Sequence, residues 1–390
     1  MPVAAPISVL TSAPLVSAAF VIFSLVTYIF TRTRKPRLPR CRASSSPEKV
    51  SSPETRPDRL AIHPLNDFDW RTQEPRKLRP FKKTYHITMA IQSDTPSDLI
   101  TIDRDYLDRV SLRRALIQRH GSTVHGCVPA GEAAVAEVYA YLFTSYLPTR
   151  YPTVFSTSPS SSSSSPSLTS SSSPPVLLHN AATGLSLPAQ PSPCPLENLR
   201  RVGETVEEDM FILQPTDEGH RAVAFVCCFP AGFDGSQKLG RLLREIHAPV
   251  PGYGKIGASM ERFFARLEVG RSVKRTNWSI QLDDELFRWQ PHDTGLDDKH
   301  AADDTAAKAS DASNGLLRVE LQTLTRLPRT RSVLFSFKTY LYPLRDVRAE
   351  GLGPDLADAV DGLDGGNCPG MWTYKGSRHW AAAACEYLRS

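Results

Sequence analysis

The sequence predicts an α+β protein, a mostly antiparallel sheet with flanking helices, preceded by one transmembrane helix. Three observations carry that expectation. Five strand-like segments lie in the second half of the chain, two of them joined by the turn Thr216-Asp217-Glu218-Gly219. Helical patterns fall before and between them without regular strand–helix alternation, which favours α+β over a parallel sheet. One uncharged apolar run, Ile7–Phe30, opens the chain and has about the twenty residues needed to span a bilayer core.

The elements follow in order. Pro14 interrupts the first third of the apolar run, leaving Leu15–Phe30 as its continuous part. The cluster Arg32, Arg34, Lys35, Arg37, Arg40 and Arg42 comes after the run. That order places the downstream body in the cytosol; a cleaved signal peptide would carry its positive charge before the run. The chain thus divides into an anchor over 1–31, a basic Pro- and Ser-rich tether over 32–65, and a folded body over 66–390. The body carries two low-complexity inserts, at about 156–195 and 291–315, which a surface loop tolerates because closure entropy grows slowly with length. Helices are expected over Asp105–His120, Glu132–Leu147 (ended by Pro148), Gln237–His247, Ile256–Leu267 and Trp380–Leu388. Strands are expected over Asp209–Gln214, Arg221–Phe229, Val273–Gln281, Leu317–Leu324 and Ser332–Leu341.

Composition narrows the function. The chain has 390 residues and a net charge of +5, and the cluster after the apolar run alone holds six basic residues. The rest is near neutral, so no nucleic-acid partner is expected. The seven Cys form no CxxC pair, which excludes zinc-module, ferredoxin-type and disulfide-framework spacing. No GxGxxG follows a strand and no G-x-S-x-G elbow is present. Asn277-Trp278-Ser279 is a glycosylation sequon, usable only if the body were lumenal.

The segments PFKKTYHITMAIQ, LITIDRDYLDRVSLRRALI, VEEDMFILQ, FPAGFDGSQKLGRLLREIHAPVPGY, RTNWSI and LRVELQTLTRLPRTRSVLFSFKTYLYPL resemble the haem-dependent oxidative N-demethylases, the catalytic alpha subunits of dimethylamine-type monooxygenases. IHAPVPGY and LQTLTRLP are the most specific of them. The resemblance implies a PAS-like sheet, haem b, and electrons from a separate flavin and iron–sulfur reductase. It implies a small methylated amine and O2 as substrates and formaldehyde as product. A haem- or ligand-sensing PAS-like membrane-anchored protein without turnover is the alternative, because fold does not determine function.

Haem needs an axial donor and cations for its propionates. His247, followed by Ala248-Pro249-Val250-Pro251, is held by a stiff backbone and is the expected metal ligand; the bland reading is an imidazolium at a helix C-terminus. Cys227 or Cys228 are the alternative thiolate ligands, although mid-strand Cys is more often a small hydrophobe, and alternation turns only one of them to any one face. Arg275, Arg326 and Arg329 are the cofactor-binding candidates, since guanidinium forks fit carboxylates. A cationic amine wants a carboxylate or an aromatic face. Glu320 and Trp278 are the catalytic candidates for that task, with Glu207, Glu208, Asp209 and Phe233 behind them; the bland alternative is that Glu320 pairs with Arg318 on the same strand face.

Overall fold

The computed structural model describes residues 61–159, 175–290 and 312–390. The anchor expected at 7–30, the tether up to residue 60, residues 160–174 of the first low-complexity insert and 291–311 of the second lie outside these residues. Among the described residues no helix is long and apolar enough to cross a membrane.

The central element is a seven-stranded sheet. Its strands are β1 (Gln92–Asp94), β2 (His125–Cys127), β6 (Asp209–Thr216), β7 (Gly219–Val226), β8 (Ser272–Gln281), β9 (Leu316–Arg326) and β10 (Val333–Pro343), in the spatial order β1-β8-β9-β10-β6-β7-β2. Every pairing in it is antiparallel. The five long strands are the five that the sequence predicts, lengthened or shifted by a few residues. β6 and β7 pair through Thr216 and Gly219, as the turn residues predict, with a bulge between Ile212 and Leu213.

Three additional strands form a smaller antiparallel sheet: β3 (Phe155–Pro159), β4 (Val176–Asn180) and β5 (Leu185–Pro188). The insert expected over 156–195 is therefore too wide. Its two ends pair as strands, because Phe155, Leu178 and Asn180 bury their side chains beside Tyr106.

The helices are α1 (Tyr106–His120), α2 (Glu132–Ala140), α3 (Leu147–Arg150), α4 (Pro195–Gly203), α5 (Leu243–Ile246), α6 (Gly257–Arg266), α7 (Leu344–Ala349), α8 (Gly353–Asp361), α9 (Met371–Tyr374) and α10 (Ala381–Arg389). Two differ from expectation. Pro148 does not end its helix: a π-type stretch, Tyr141–Tyr146, joins α2 to α3. There Pro148 lies in the first turn, where its missing N–H costs little. The helix expected over Gln237–His247 is reduced to a 3₁₀ turn at Ser236–Lys238 and the single turn α5. Gly240 interrupts it at φ 77°, a left-handed conformation that glycine adopts at little cost.

Strand alternation sorts the side chains between two faces. One face carries Phe211, Phe225, Arg275, Asn277, Glu320, Gln322, Phe335 and Phe337 in register. It packs under α5, α6 and the loop residues Met89, Ile91, Phe233 and Tyr253. The opposite face carries Trp278, Val319 and Tyr340 toward the C-terminal helices, and Met210, Ile212 and Leu334 toward α1, α2 and α4.

Candidate active site

His247 is the C-cap of α5. Its Nδ1 lies 2.9 Å from the Leu243 carbonyl. A carbonyl only accepts, so Nδ1 carries the proton and Nε2 is left as a lone-pair donor, the arrangement that orients metal-binding imidazoles. The ring stacks on Tyr253 at 5.1 Å and 11°. Burial, with Lys238 and Arg275 nearby, holds its pKa below the ordinary value against the raising effect of the Leu243 bond. A neutral imidazole on a one-turn helix is not the imidazolium that a helix dipole would favour.

The IHAPVPGY run supports this ring. Gly252 adopts φ 72°, and a Cβ there would meet Cys368 Sγ at 2.9 Å. The Cys368 thiol donates to the Pro251 carbonyl at 2.9 Å, so the turn carrying Tyr253 is docked onto the C-terminal segment.

Arg275 shares the electrostatic neighbourhood of His247, Glu320 and Tyr85. It makes no ion pair among the described residues, and its buried Nε has no hydrogen-bond partner. Burial lowers its pKa, with Tyr85 and Glu320 opposing. Thr339 Oγ1, on the same sheet face, and Tyr253 OH are likewise buried without partners. Buried polar groups left unpaired are costly. Arg275 and Thr339 project from the sheet face that also carries the half-buried Asn277, Gln322 and Phe335.

Glu320 is 6% exposed. Its Oε2 accepts from Gln322 Nε2 at 2.9 Å and Asn277 Nδ2 at 3.4 Å; Oε1 accepts nothing among the described residues. The alternative pairing with Arg318 does not form. The Arg318 guanidinium is turned to the Phe229 and Leu286 carbonyls and the Gln281 amide.

Other sequence-predicted residues lie elsewhere. Arg326 spends its guanidinium on the carbonyls of Phe264, Leu267 and Arg331, tying the end of α6 to β9. The Arg329 side chain is 70% exposed and 3.8 Å from Glu137, in the β9–β10 turn. Trp278 faces away from Glu320, into the core under the C-terminal helices. Glu207, Glu208 and Asp209 are engaged with Lys338, the Thr101 amide and Arg113 respectively. Phe233 does join the site's apolar cluster, 6.4 Å from Phe211.

The two cysteines are not mid-strand as expected but lie just past the end of β7 at Val226, and they pack into different clusters. Cys227 enters the site's cluster and Cys228 the opposite one. Burial pushes the Cys227 thiol well up, with Asp209 adding to it. Burial likewise raises Cys228 to about 12 against Arg113. Cys227 Sγ sits 3.5 Å from Asp209 Oδ2, the geometry of a protonated thiol donating to a carboxylate.

Sequence reasoning missed Asn277, Gln322 and Lys375. The first two alternate with Arg275 and Glu320 along their strands, a period-two signal that was present but read only at the charged positions. A cleft of about 430 Å³ opens on the opposite face, lined by Asp103, Arg109, Glu207, Lys338 and Tyr342 among others. There Lys338 is bonded to both Asp103 and Glu207. The face carrying Arg275 and Glu320, in the electrostatic neighbourhood of His247, is the better candidate for chemistry.

The antiparallel sheet with its flanking helices defines an α+β protein. The family model described as haem-dependent oxidative N-demethylase, alpha subunit-like, matches residues 90–385. The chain belongs to that family.

Proposed function

We propose that this chain binds haem b and, with O2 and electrons from a separate reductase, removes N-methyl groups from a small amine. One methylated amine, one O2, two electrons and two protons balance to the shortened amine, formaldehyde and water. The observation that carries the reading is the His247 tautomer, an Nε2 donor beside the unpaired Arg275. His247 would ligate the iron and Arg275 would receive a propionate; the haem, when bound, supplies the oxidative chemistry.

The protein's residues do the rest. Glu320 accepts a hydrogen bond from the substrate ammonium through Oε1. Phe211, Phe335 and Phe337 exclude water, which strengthens that electrostatic contact. Arg326 and Arg329 serve the scaffold, and Trp278 acts from behind the sheet. The neutral, buried thiols of Cys227 and Cys228 make His247 the favoured ligand. The PAS-like reading of the sheet belongs to this proposal, supported by the family membership and the five long antiparallel strands.

The anchor at 7–30, with the body in the cytosol, is a further part of it, motivated by the apolar run and the basic cluster behind it. The sequon is the check on that orientation: an unglycosylated Asn277 fits a cytosolic body, and a glycan there overturns it.

The test is an absorption spectrum of the full chain expressed with haem precursor. A Soret band that shifts on reduction and on carbon monoxide, and that His247→Ala loses, is expected. Formaldehyde should then form from dimethylamine with a surrogate reductase. A chain that stays colourless with added haemin overturns the reading; one that keeps haem and forms no formaldehyde is a sensor.

A further inference from the structure

Lys375 follows α9 and enters the protein beside β8 from the opposite side of the sheet edge. It is 7% exposed and makes no ion pair among the described residues. Its ammonium donates to Asn277 Oδ1 at 3.1 Å and to the Trp278 carbonyl. It also lies 5.4 Å from the Trp278 ring centre. A buried cation without a direct counter-ion is expensive, and an apolar side chain would fill this position at lower cost.

What the ammonium does is decide the orientation of an amide. Lysine carries donors and no acceptor, so Asn277 must present Oδ1 to it. The opposite end, Nδ2, then faces Glu320 Oε2 as a donor. Gln322 Nε2 donates to the same oxygen, and Oε1 is left free. Burial lowers the Lys375 pKa to about 8 with Glu320 opposing, which places the carboxylate within its electrostatic reach.

We propose that Lys375 is a positioning residue for amine recognition: by fixing the Asn277 flip state it aims Glu320 Oε1 at the substrate cation. The proposal rests on the amine reading given above. Without Lys375 the amide loses its anchor on the Oδ1 side and is kept only by its 3.4 Å donation to Glu320 Oε2, so the carboxylate is held less firmly in its present position. The ligand class selected is a small protonated secondary or tertiary amine with at least one N–H to donate.

The experiment is a titration of the haem-loaded full chain with dimethylammonium chloride, followed by the Soret response, with tetramethylammonium for comparison. Lys375→Met should keep its haem content and thermal midpoint near wild type. Its dimethylammonium affinity should fall roughly ten- to a hundredfold, the range for one hydrogen bond to a charged group. Lys375→Arg, which keeps the donors, should recover most of that loss. Tetramethylammonium, which has no N–H, should lose much less. Should Lys375→Met fail to fold, Asn277→Asp keeps the lysine paired and removes the donor to Glu320, and the same loss is expected. Undiminished dimethylammonium affinity in either folded variant overturns the proposal alone. A wild-type chain that takes up haem and gives no response to dimethylammonium overturns the amine reading together with it.

Discussion

Arg113 and Asp209 form a wholly enclosed ion pair, Nη1 to Oδ1 at 2.5 Å, between α1 and the first residue of β6. Asp209 also accepts from the Cys228 and Phe229 amides at 2.7 and 2.8 Å. The other Arg113 donors reach the carbonyls of Gly203, Glu207 and Glu208. The pair therefore fixes the segment that carries both cysteines, just past the end of β7. Arg113→Met leaves a buried carboxylate without its cation and is expected to cost about 3–5 kcal/mol, measured from urea denaturation midpoints. An unchanged midpoint would mean that the Asp209 site admits water.

Tyr253 holds the His247 ring by stacking, and its hydroxyl has no hydrogen-bond partner among the described residues. Tyr253→Leu should retain haem with weakened affinity, whereas His247→Ala should lose it. Haemin titration of the two variants checks the order. Equal retention by both would remove His247 as the ligand.

Cys227→Ala and Cys228→Ala should each leave the Soret position of the reduced and carbon monoxide-bound forms unchanged, since burial keeps both thiols protonated at neutral pH. A shifted band in either variant would return that cysteine to the list of ligands.

Arg326→Ala strips the hydrogen bonds from the carbonyls of Phe264 and Leu267, both buried contacts, and from the part-buried contact to the Arg331 carbonyl. We expect a loss of about 2–4 kcal/mol in unfolding free energy, with haem content per folded molecule unchanged. Reduced haem affinity at full stability would place the guanidinium at a propionate instead.

Lys338, with Asp103 and Glu207 at 2.7 and 2.8 Å, gives a pH prediction. Nearby carboxylates keep the lysine cationic. Burial, against the pull of Lys338, raises the Glu207 carboxyl from 4.5 to about 7. Between those values the folded chain binds a proton that the unfolded chain has released, so this group's contribution to stability falls as pH rises and levels off above about 7. Glu207→Gln should flatten that part of the stability profile between about pH 5 and about pH 8. An identical slope in the variant would assign it to other groups.

The sequence by itself determined the class of the fold and the family. Period-two alternation marked all five long strands, because each packs at least one face into a core. The Thr216–Gly219 turn set the β6–β7 register, and local chemistry in IHAPVPGY singled out His247. Tertiary structure decided which charges were free. Arg326 and Glu320 look alike in the sequence, as lone charges within or at the end of a strand. Only the approach of the α6 carbonyls uses up the first, and only the amides of Asn277 and Gln322 leave one oxygen of the second open. Lys375 lies nearly a hundred residues from Asn277 in the chain, so no local pattern connects them. Hydrogen-bond saturation is a property of neighbours in space, and those neighbours are chosen when the sheet closes against its helices.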